Sequence, residues 1–466
     1  RRELCMAYNF LAVERDQVYL LPPSVADWLP EDHLAWFVLD AVDEMDLAPF
    51  YAGYRADGWG AAAHDPKMMV ALALYAYCLG IRSSRQIERA CHVDVGFRVV
   101  AANQCPDHTT IARFRQRHEA ALASVFTCSL RLCSQAGLVS LGVVAVDGTK
   151  MGCPAALDAN RTKDHIEEAV RKMLEEAEAA DAAEDALYGP DATGDELPAH
   201  LRGREARRKR LAEAKAVLDA QDKAAREAHE AHLAERAARE QASGHKLRGR
   251  KPTAPDTTEA KANLSDPESR IMKTMDGFVQ GYNAQAVANE EQVVIAAEVT
   301  DEHNDLGQLH PMIEATSRSL DAAGITERPE TLLADAGYAS EDNLAKLGDD
   351  EPNCFIATRN MNKNPEPRNG SRGPLPADAT LVDKMDRKVS TVSGRAIYKK
   401  RQHIIEPVFG QTKDARGARR FMRRGKAAAD SEWKLLMGTH NLLKLYRRSL
   451  VDATVAPWSR MAAISG

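Results

Sequence analysis

Leu141-Gly142-Val143-Val144-Ala145-Val146 is a short, continuous, β-branched apolar run that ends in Asp147-Gly148-Thr149. An apolar run without alternation reads as a strand buried on both faces of a sheet. Some 140 residues of helical pattern precede it, so the chain is neither all-helical nor all-β. Further strand signals follow. Residues 278–287 and 293–299 flank the polar stretch Asn289-Glu290-Glu291 and predict an antiparallel hairpin. Thr331-Leu332-Leu333-Ala334 is another buried strand, ending in Asp335, and residues 353–358 are a further one. A helix is expected from about Gly307 to Ala322, a Pro/Gly/Asn-rich loop over 360–394, and helix from about Ala396 to Tyr446. The fold class is mixed α/β.

The amino-terminal stretch is helical throughout. Met68 to Ile81 is its longest apolar run and has a buried-helix pattern; a membrane span needs about 20 residues. Ser83-Ser84-Arg85-Gln86 has the form of a capping box. After a loop, Pro106-Asp107-His108-Thr109-Thr110 opens a second short helix carrying Arg113, Arg115 and Arg117. Two short helices with a basic second member suggest a helix-turn-helix DNA reader using Arg113 and Arg115. An ordinary bundle with a solvated basic face accounts for the same pattern.

Residues 162–242 are rich in Ala, Glu, Lys and Arg. Ile166, Val170, Met173 and Ala177 recur at coiled-coil spacing, and Leu211, Leu218 and Ala225 sit seven apart. A break from Tyr188 to Pro198 between the two runs predicts an antiparallel helical hairpin. The tail Arg248-Gly249-Arg250-Lys251-Pro252 resembles an AT-hook core that enters a minor groove; it also reads as a solvated basic linker.

The 466 residues carry 62 Lys+Arg against 68 Asp+Glu, a net charge of −6. That balance argues weakly against a nucleic-acid partner. The charges are unevenly placed, however. Residues 395–426 hold eleven basic residues and two acids, net +9, and counterion release from such a segment drives DNA binding even in an acidic chain. Hydrophobic content of 44% excludes global disorder. The eight cysteines include no C-x-x-C pair and no zinc spacing, as expected of thiols in a reducing cytosol. No apolar core of a signal peptide follows Arg1, so a cytoplasmic location is expected; Met6 is a candidate start, with residues 1–5 an upstream extension.

The order strand–Asp147, hairpin, helix, strand–Asp335, strand, helix–Glu406 is similar to the ribonuclease-H-like architecture, a mixed sheet with helices on its faces. Singly, each acid has a plainer reading: a turn at Asp147-Gly148, a helix N-terminus at Asp335, a surface acid at Glu406. Together with their neighbours they are more specific. Tyr398, Arg401, Glu406 and Lys413 resemble the tyrosine–arginine–glutamate–lysine signature of bacterial insertion-sequence transposases. Val146-Asp147-Gly148-Thr149 and Asp335-Ala336-Gly337-Tyr338 resemble that class's two aspartate motifs. The flanks Glu406 to Lys413, Arg416-Gly417, Phe421 to Gly425, Leu29 to His33 and Pro106 to Thr110 agree. The chain resembles the insertion-sequence four/five superfamily, and within it the eleven-eighty-two group.

The resemblance implies a catalytic triad of Asp147, Asp335 and Glu406 holding Mg²⁺, with Mn²⁺ able to substitute, for two-metal-ion cleavage of DNA ends and their joining to target DNA. Two ions about 3.5–4 Å apart need hard oxygen ligands. It assigns Tyr398, Arg401 and Lys413 to the DNA beside the scissile phosphate; a base-stacking ring, a bidentate fork and a point charge suit that task. The partners implied are the element's terminal inverted repeats and target DNA, with a homodimer on paired ends and no membrane. His303-Asn304-Asp305 either supports the site or caps the next helix. Two departures stand out: four residues separate Arg401 from Glu406 where the signature has three, and the aspartates lie 188 positions apart, which the helical insertion explains. Pro407 puts Glu406 at a helix start or kink. The organisation expected is a helical DNA-binding domain (1–140), the first strand segment of the catalytic domain (141–160), a helical insertion with a basic tail (161–262), the rest of the catalytic domain (263–450) and a tail (451–466). A ribonuclease-H-like nuclease without strand transfer and an inactive DNA-binding or architectural protein are the alternatives.

Overall fold

The structure is a computed structural model that describes residues 24–54, 63–169, 171–172, 199–246, 252–254, 260–274, 277–348, 351–358, 375–376 and 378–456. Its sheet is built on β1 (Val143–Gly152), which lies antiparallel to β5 (Gly277–Asn289) and parallel to β7 (Thr331–Ala334). β8 (Asn353–Ile356) extends the sheet in parallel beyond β7. On the other side, β5 pairs antiparallel with β4 (Arg270–Thr274) near its start and with β6 (Val294–Thr300) further along. The small β2–β3 ladder (Asn160–Thr162, Lys261–Asn263) closes the base of the insertion.

The apolar runs account for this order. Val144, Ala145 and Val146 have no exposed surface, and most of β5 and β6 is equally buried. Helix Leu309–Ala322 packs on β5 and β6, and helix Lys426–Ser449 covers β6 and β5 while gripping helix Glu119–Gln135. Along β6, Asn441 accepts from the Val294 amide at 2.8 Å and donates to its carbonyl at 2.9 Å, and Asp430 accepts from Val299 at 3.0 Å. Side chains of the last helix thus satisfy an edge strand that would otherwise offer open backbone groups. The same helix buries Trp433, Leu435, Leu436, Leu442 and Leu445, each contributing roughly 1.5–3 kcal/mol of apolar transfer.

One continuous core joins the amino-terminal helices to the sheet. The apolar run seen in the sequence is helix Pro66–Cys78, capped by Asp65 and buried on nearly every side. At the junction, Arg82 pairs with Glu432 at 3.1 Å, with side chains 7% and 1% exposed. Arg82 also donates to the carbonyls of Arg420 and Gly417, and Glu432 accepts from the Met422 amide. Arg416, itself buried, donates to Leu436, Thr439 and Thr412.

Several expectations need correcting. β1 does not stop at Asp147; it runs on to Gly152 because β5 pairs with it over that whole length. The loop expected over 360–394 is helical from Leu381, where Thr380 and Asp383 form a reciprocal cap and start helix Leu381–Ser390, followed by Val392–Lys399. The helix expected from Ala396 to Tyr446 is broken: residues 416–425 leave the helix and run beside the end of β1, where Phe421 donates to Gly152 at 2.7 Å. Ser83 stands at its helix start but makes no side-chain cap. A third helix, Val95–Val100, lies between the two expected for a helix-turn-helix, opened by Asp94 accepting from Phe97. In the insertion, helix Ala199–Ser243 buries Leu211, Ala214 and Leu218 against Ile166 and Ala262. The expected break at 188–198, Val170, Met173, Ala177, Arg248 and Arg250 lie outside the described residues.

Removing one partner of the Arg82–Glu432 pair strands a buried charge. Arg82→Ala is expected to lower unfolding stability by about 3–5 kcal/mol, measured by urea denaturation, with the amino-terminal helices and the sheet lost in one transition.

Candidate active site

β1 and β7 share a register in which Ala145 lies beside Leu333. Two residues further along, the same offset sets Asp147 level with Asp335, the first residue past the end of β7. Neighbouring strands are about 4.8 Å apart, so the two carboxylates flank the mouth opened where β7 stops. Asp335 turns the chain: it is extended, and its side chain accepts from the Gly337 amide at 2.8 Å, starting the turn Ala336–Tyr338. The plainer reading of Asp335 as a cap therefore holds alongside its position at the mouth.

Asp147 is 16% exposed and pairs with Arg401, Oδ2 to Nη2 2.6 Å. Arg401 Nη1 stands 3.5 Å from Glu406 Oε1, whose side chain is 53% exposed. Arg401 thus lies between Asp147 and Glu406. Glu406 is the first residue of helix Glu406–Gly410, with Pro407 next, where a missing amide hydrogen costs nothing; the expected helix start is borne out. Burial raises the Asp147 carboxyl to about 6; Arg401 opposes this and the Asp335 charge adds to it. Burial also raises the Tyr398 hydroxyl and lowers the Lys413 ammonium.

A second set of polar groups lies behind the mouth. Asp305 accepts from Asn283 at 2.7 Å and from Gln285 at 2.6 Å, and stands 3.5 Å from the Lys150 ammonium. Tyr338 donates to Gln285 Oε1. Asn304 caps Leu306, so in His303-Asn304-Asp305 one residue caps the following turn and another joins the polar cluster. Lys150, Asn283 and Gln285 were not singled out in the sequence. The signal was present in Asn283 and Gln285, two polar residues alternating with apolar ones in the buried part of β5, from Gln280 to Asn289.

The residues expected on DNA are dispersed. Lys413 donates to the Lys150 carbonyl at 2.8 Å. Arg113 is exposed on helix His108–Arg117. Arg115 is turned inward: it is 8% exposed and donates to Tyr77 and to the Arg82 carbonyl at 2.7 Å. That corrects its assignment to a DNA face, because a phosphate contact would require unpacking it. The basic segment is likewise partly consumed. Arg416 is core, Lys400 pairs with Glu290, Arg419 with Asp414 and Arg423 with Glu119.

Hard carboxylate oxygens at Asp147 and Asp335 fit a divalent cation, and burial beside a second acid leaves a repulsion that such an ion relieves. Among the described residues no three acids, imidazoles or thiols converge closely enough to hold an ion. Glu406 stands on the far side of Arg401, so its joining the pair requires that guanidinium to move.

A family model described as a transposase domain (DUF772) matches residues 23–117, and one described as a transposase DDE domain matches residues 368–446. No curated protein and no solved structure matches the chain. The two matches indicate a transposase of the aspartate–aspartate–glutamate type, a protein of DNA transposition and mobile elements. The second match spans Tyr398, Arg401, Glu406 and Lys413, whereas Asp147 and Asp335 lie outside both. No helix among the described residues is long and apolar enough to cross a membrane.

The raised carboxyl of Asp147 has a sign that unfolding can test. Its folded value of about 6 exceeds the unfolded value of about 3.9, so between these the folded state binds the extra proton. Stability conferred by this group therefore rises as pH falls from about 7 to 4, by about 2 kcal/mol. Urea unfolding of wild type and Asp147→Asn at both pH values is expected to show wild type gaining on the variant at the acid end.

Proposed function

We propose that this chain is a transposase that binds the terminal inverted repeats of an insertion sequence, cleaves at the element ends by two-metal-ion phosphoryl transfer and joins them to target DNA. The observation that carries this reading is the register of β1 and β7, which brings Asp147 and Asp335 side by side in a chain with two transposase matches. A ribonuclease-H-like core is supported by the mixed sheet, its helical cover, acids on neighbouring strands and a third acid on a later helix. The domain division and the eleven-eighty-two group rest on the motifs.

Asp147 and Asp335 would hold Mg²⁺ or Mn²⁺, with Glu406 completing the set. Such ions, when bound, activate a water or 3′-hydroxyl and stabilise the leaving oxygen. The ladder with β5 fixes the Asp147 backbone, and Arg401 orients its carboxylate. A phosphate drawn to the Arg401 fork takes that guanidinium from Asp147 and Glu406. Tyr398, on the preceding helix, offers a ring to a flanking base. Lys413 braces β1 through the Lys150 carbonyl, and Arg113 faces solvent on the amino-terminal side, open to a DNA backbone. Two copies on paired ends are the expected assembly.

Purified protein incubated with DNA bearing the element's inverted repeats and Mg²⁺ is expected to nick at the repeat ends. The nicking disappears with EDTA and falls at least about 100-fold in Asp147→Asn and Asp335→Asn, more than loss of an outer partner of a metal ligand costs. Appearance of the ends in a target plasmid separates a transposase from a nuclease. Repeat binding with no cleavage by wild type overturns both enzymatic readings.

A further inference from the structure

Asp305 lies in the loop between β6 and helix Leu309–Ala322, yet it reaches the middle of β1 beside Asp147 and the turn after β7 that Asp335 starts. It does so through gaps left by two glycines. A methyl group on Gly148 would stand 2.3 Å from Asp305 Oδ1 and 2.2 Å from Gln285 Nε2; one on Gly337 would stand 3.5 Å from Asp305 Oδ2 and 2.9 Å from Asp335 Oδ1. Asp305 Oδ2 and Asp335 Oδ1 are therefore no further apart than the sum of the last two distances, 6.4 Å.

The carboxylate is fixed from behind. Asn283 and Gln285, fully buried on β5, both donate to Oδ1. Their registers set them opposite Lys150 and Gly148, so the amides, the ammonium and the gap share one side of the β1–β5 pair. The direction of the Asn283 amide follows from Asp305: turned over, it would set its oxygen against a carboxylate. In the orientation adopted, its own oxygen is buried without a partner among the described residues, a cost accepted to hold Asp305. Asn343 then ties the loops together, donating to the Leu306 carbonyl at 2.6 Å and the Tyr338 carbonyl at 2.8 Å. Among the described residues, every side-chain hydrogen bond and ion pair of Asp305 goes to Oδ1, which leaves Oδ2 facing the Asp335 turn.

We propose that Asp305 is a positioning residue for the Asp147–Asp335 pair: wedged between Gly148 of β1 and Gly337 of the turn after β7, it sets the separation of the two acids and adds a fixed negative charge behind them that favours a divalent cation, with Lys150 opposing that charge. This rests on the carboxylate pair being a metal site, as proposed above.

Mn²⁺ binding to the full chain without DNA, read by the electron paramagnetic resonance of the free ion, tests it. Asp305→Asn, nearly isosteric, is expected to raise the Mn²⁺ dissociation constant about 10–100-fold, the effect of losing an outer partner of a metal ligand. Gly148→Ala, which pushes Asp305 out, is expected to raise it as well. Lys150→Gln removes the opposing charge and is expected to lower it at least about 3-fold. A merely structural role moves Asp305→Asn and Lys150→Gln in the same direction, and either that result or an unchanged dissociation constant in Asp305→Asn overturns the proposal. If wild type binds no Mn²⁺, or Asp147→Asn binds it as well as wild type, the metal reading of the pair fails and takes this one with it. Wild-type binding lost in Asp147→Asn but kept in Asp305→Asn removes this proposal alone.

Discussion

β1 is paired with β5 from Val144 to Gly152 but with β7 only from Val143 to Ala145. That inequality is the constraint on which the rest depends. Where β7 ends, one side of β1 stays fully hydrogen-bonded while the other opens, and Asp147 sits at the fork. An acid in the middle of a closed ladder would be sealed from solvent and substrate; one at a frayed end would wander. The fork gives Asp147 a rigid backbone with a reachable side chain, and Asp335 obtains the same from the turn that it caps. Every other group of the site is arranged about these two.

The surroundings divide by charge. In front of β1, Arg401 neutralises Asp147 and reaches towards Glu406. Behind it, Asp305 and Lys150 form a further opposed pair held by neutral amides. The carboxylates are therefore not a bare acidic patch, and burial, with the Asp335 charge adding to it, pushes the Asp147 carboxyl up. Burial also decides which basic residues remain for a polyanion. The positive excess of residues 395–426, conspicuous as a count, is spent in part inside the protein at Arg416 and in local pairs at Lys400, Arg419 and Arg423.

Local pattern made much of this legible. The apolar runs at 141–146 and 331–334 and the hairpin after 278 became β1, β7, β5 and β6 because continuous β-branched runs have few other uses. Pro407 marked the helix start at Glu406. What escaped was set by partners distant in sequence. Nothing near Asp147 indicates that its strand continues, because β5, some 130 residues later, decides that. Arg115 looks like its neighbours on a basic helix, and only packing against Tyr77 and the Arg82 carbonyl turns it inward. Low-complexity appearance hid the helix at Leu381, whose reciprocal cap lies at the edge of a Pro/Gly-rich stretch.

The Arg82–Glu432 contact joins residues 350 positions apart. At about 5–20 residues per second of synthesis, the amino-terminal helices emerge roughly 20–70 s before the helix that covers them. Through that interval the face of helix Glu119–Gln135 that will meet helix Lys426–Ser449 is exposed, and the buried arginine lacks its acid. A half-made chain is therefore a sticky, incomplete body until helix Lys426–Ser449 is made.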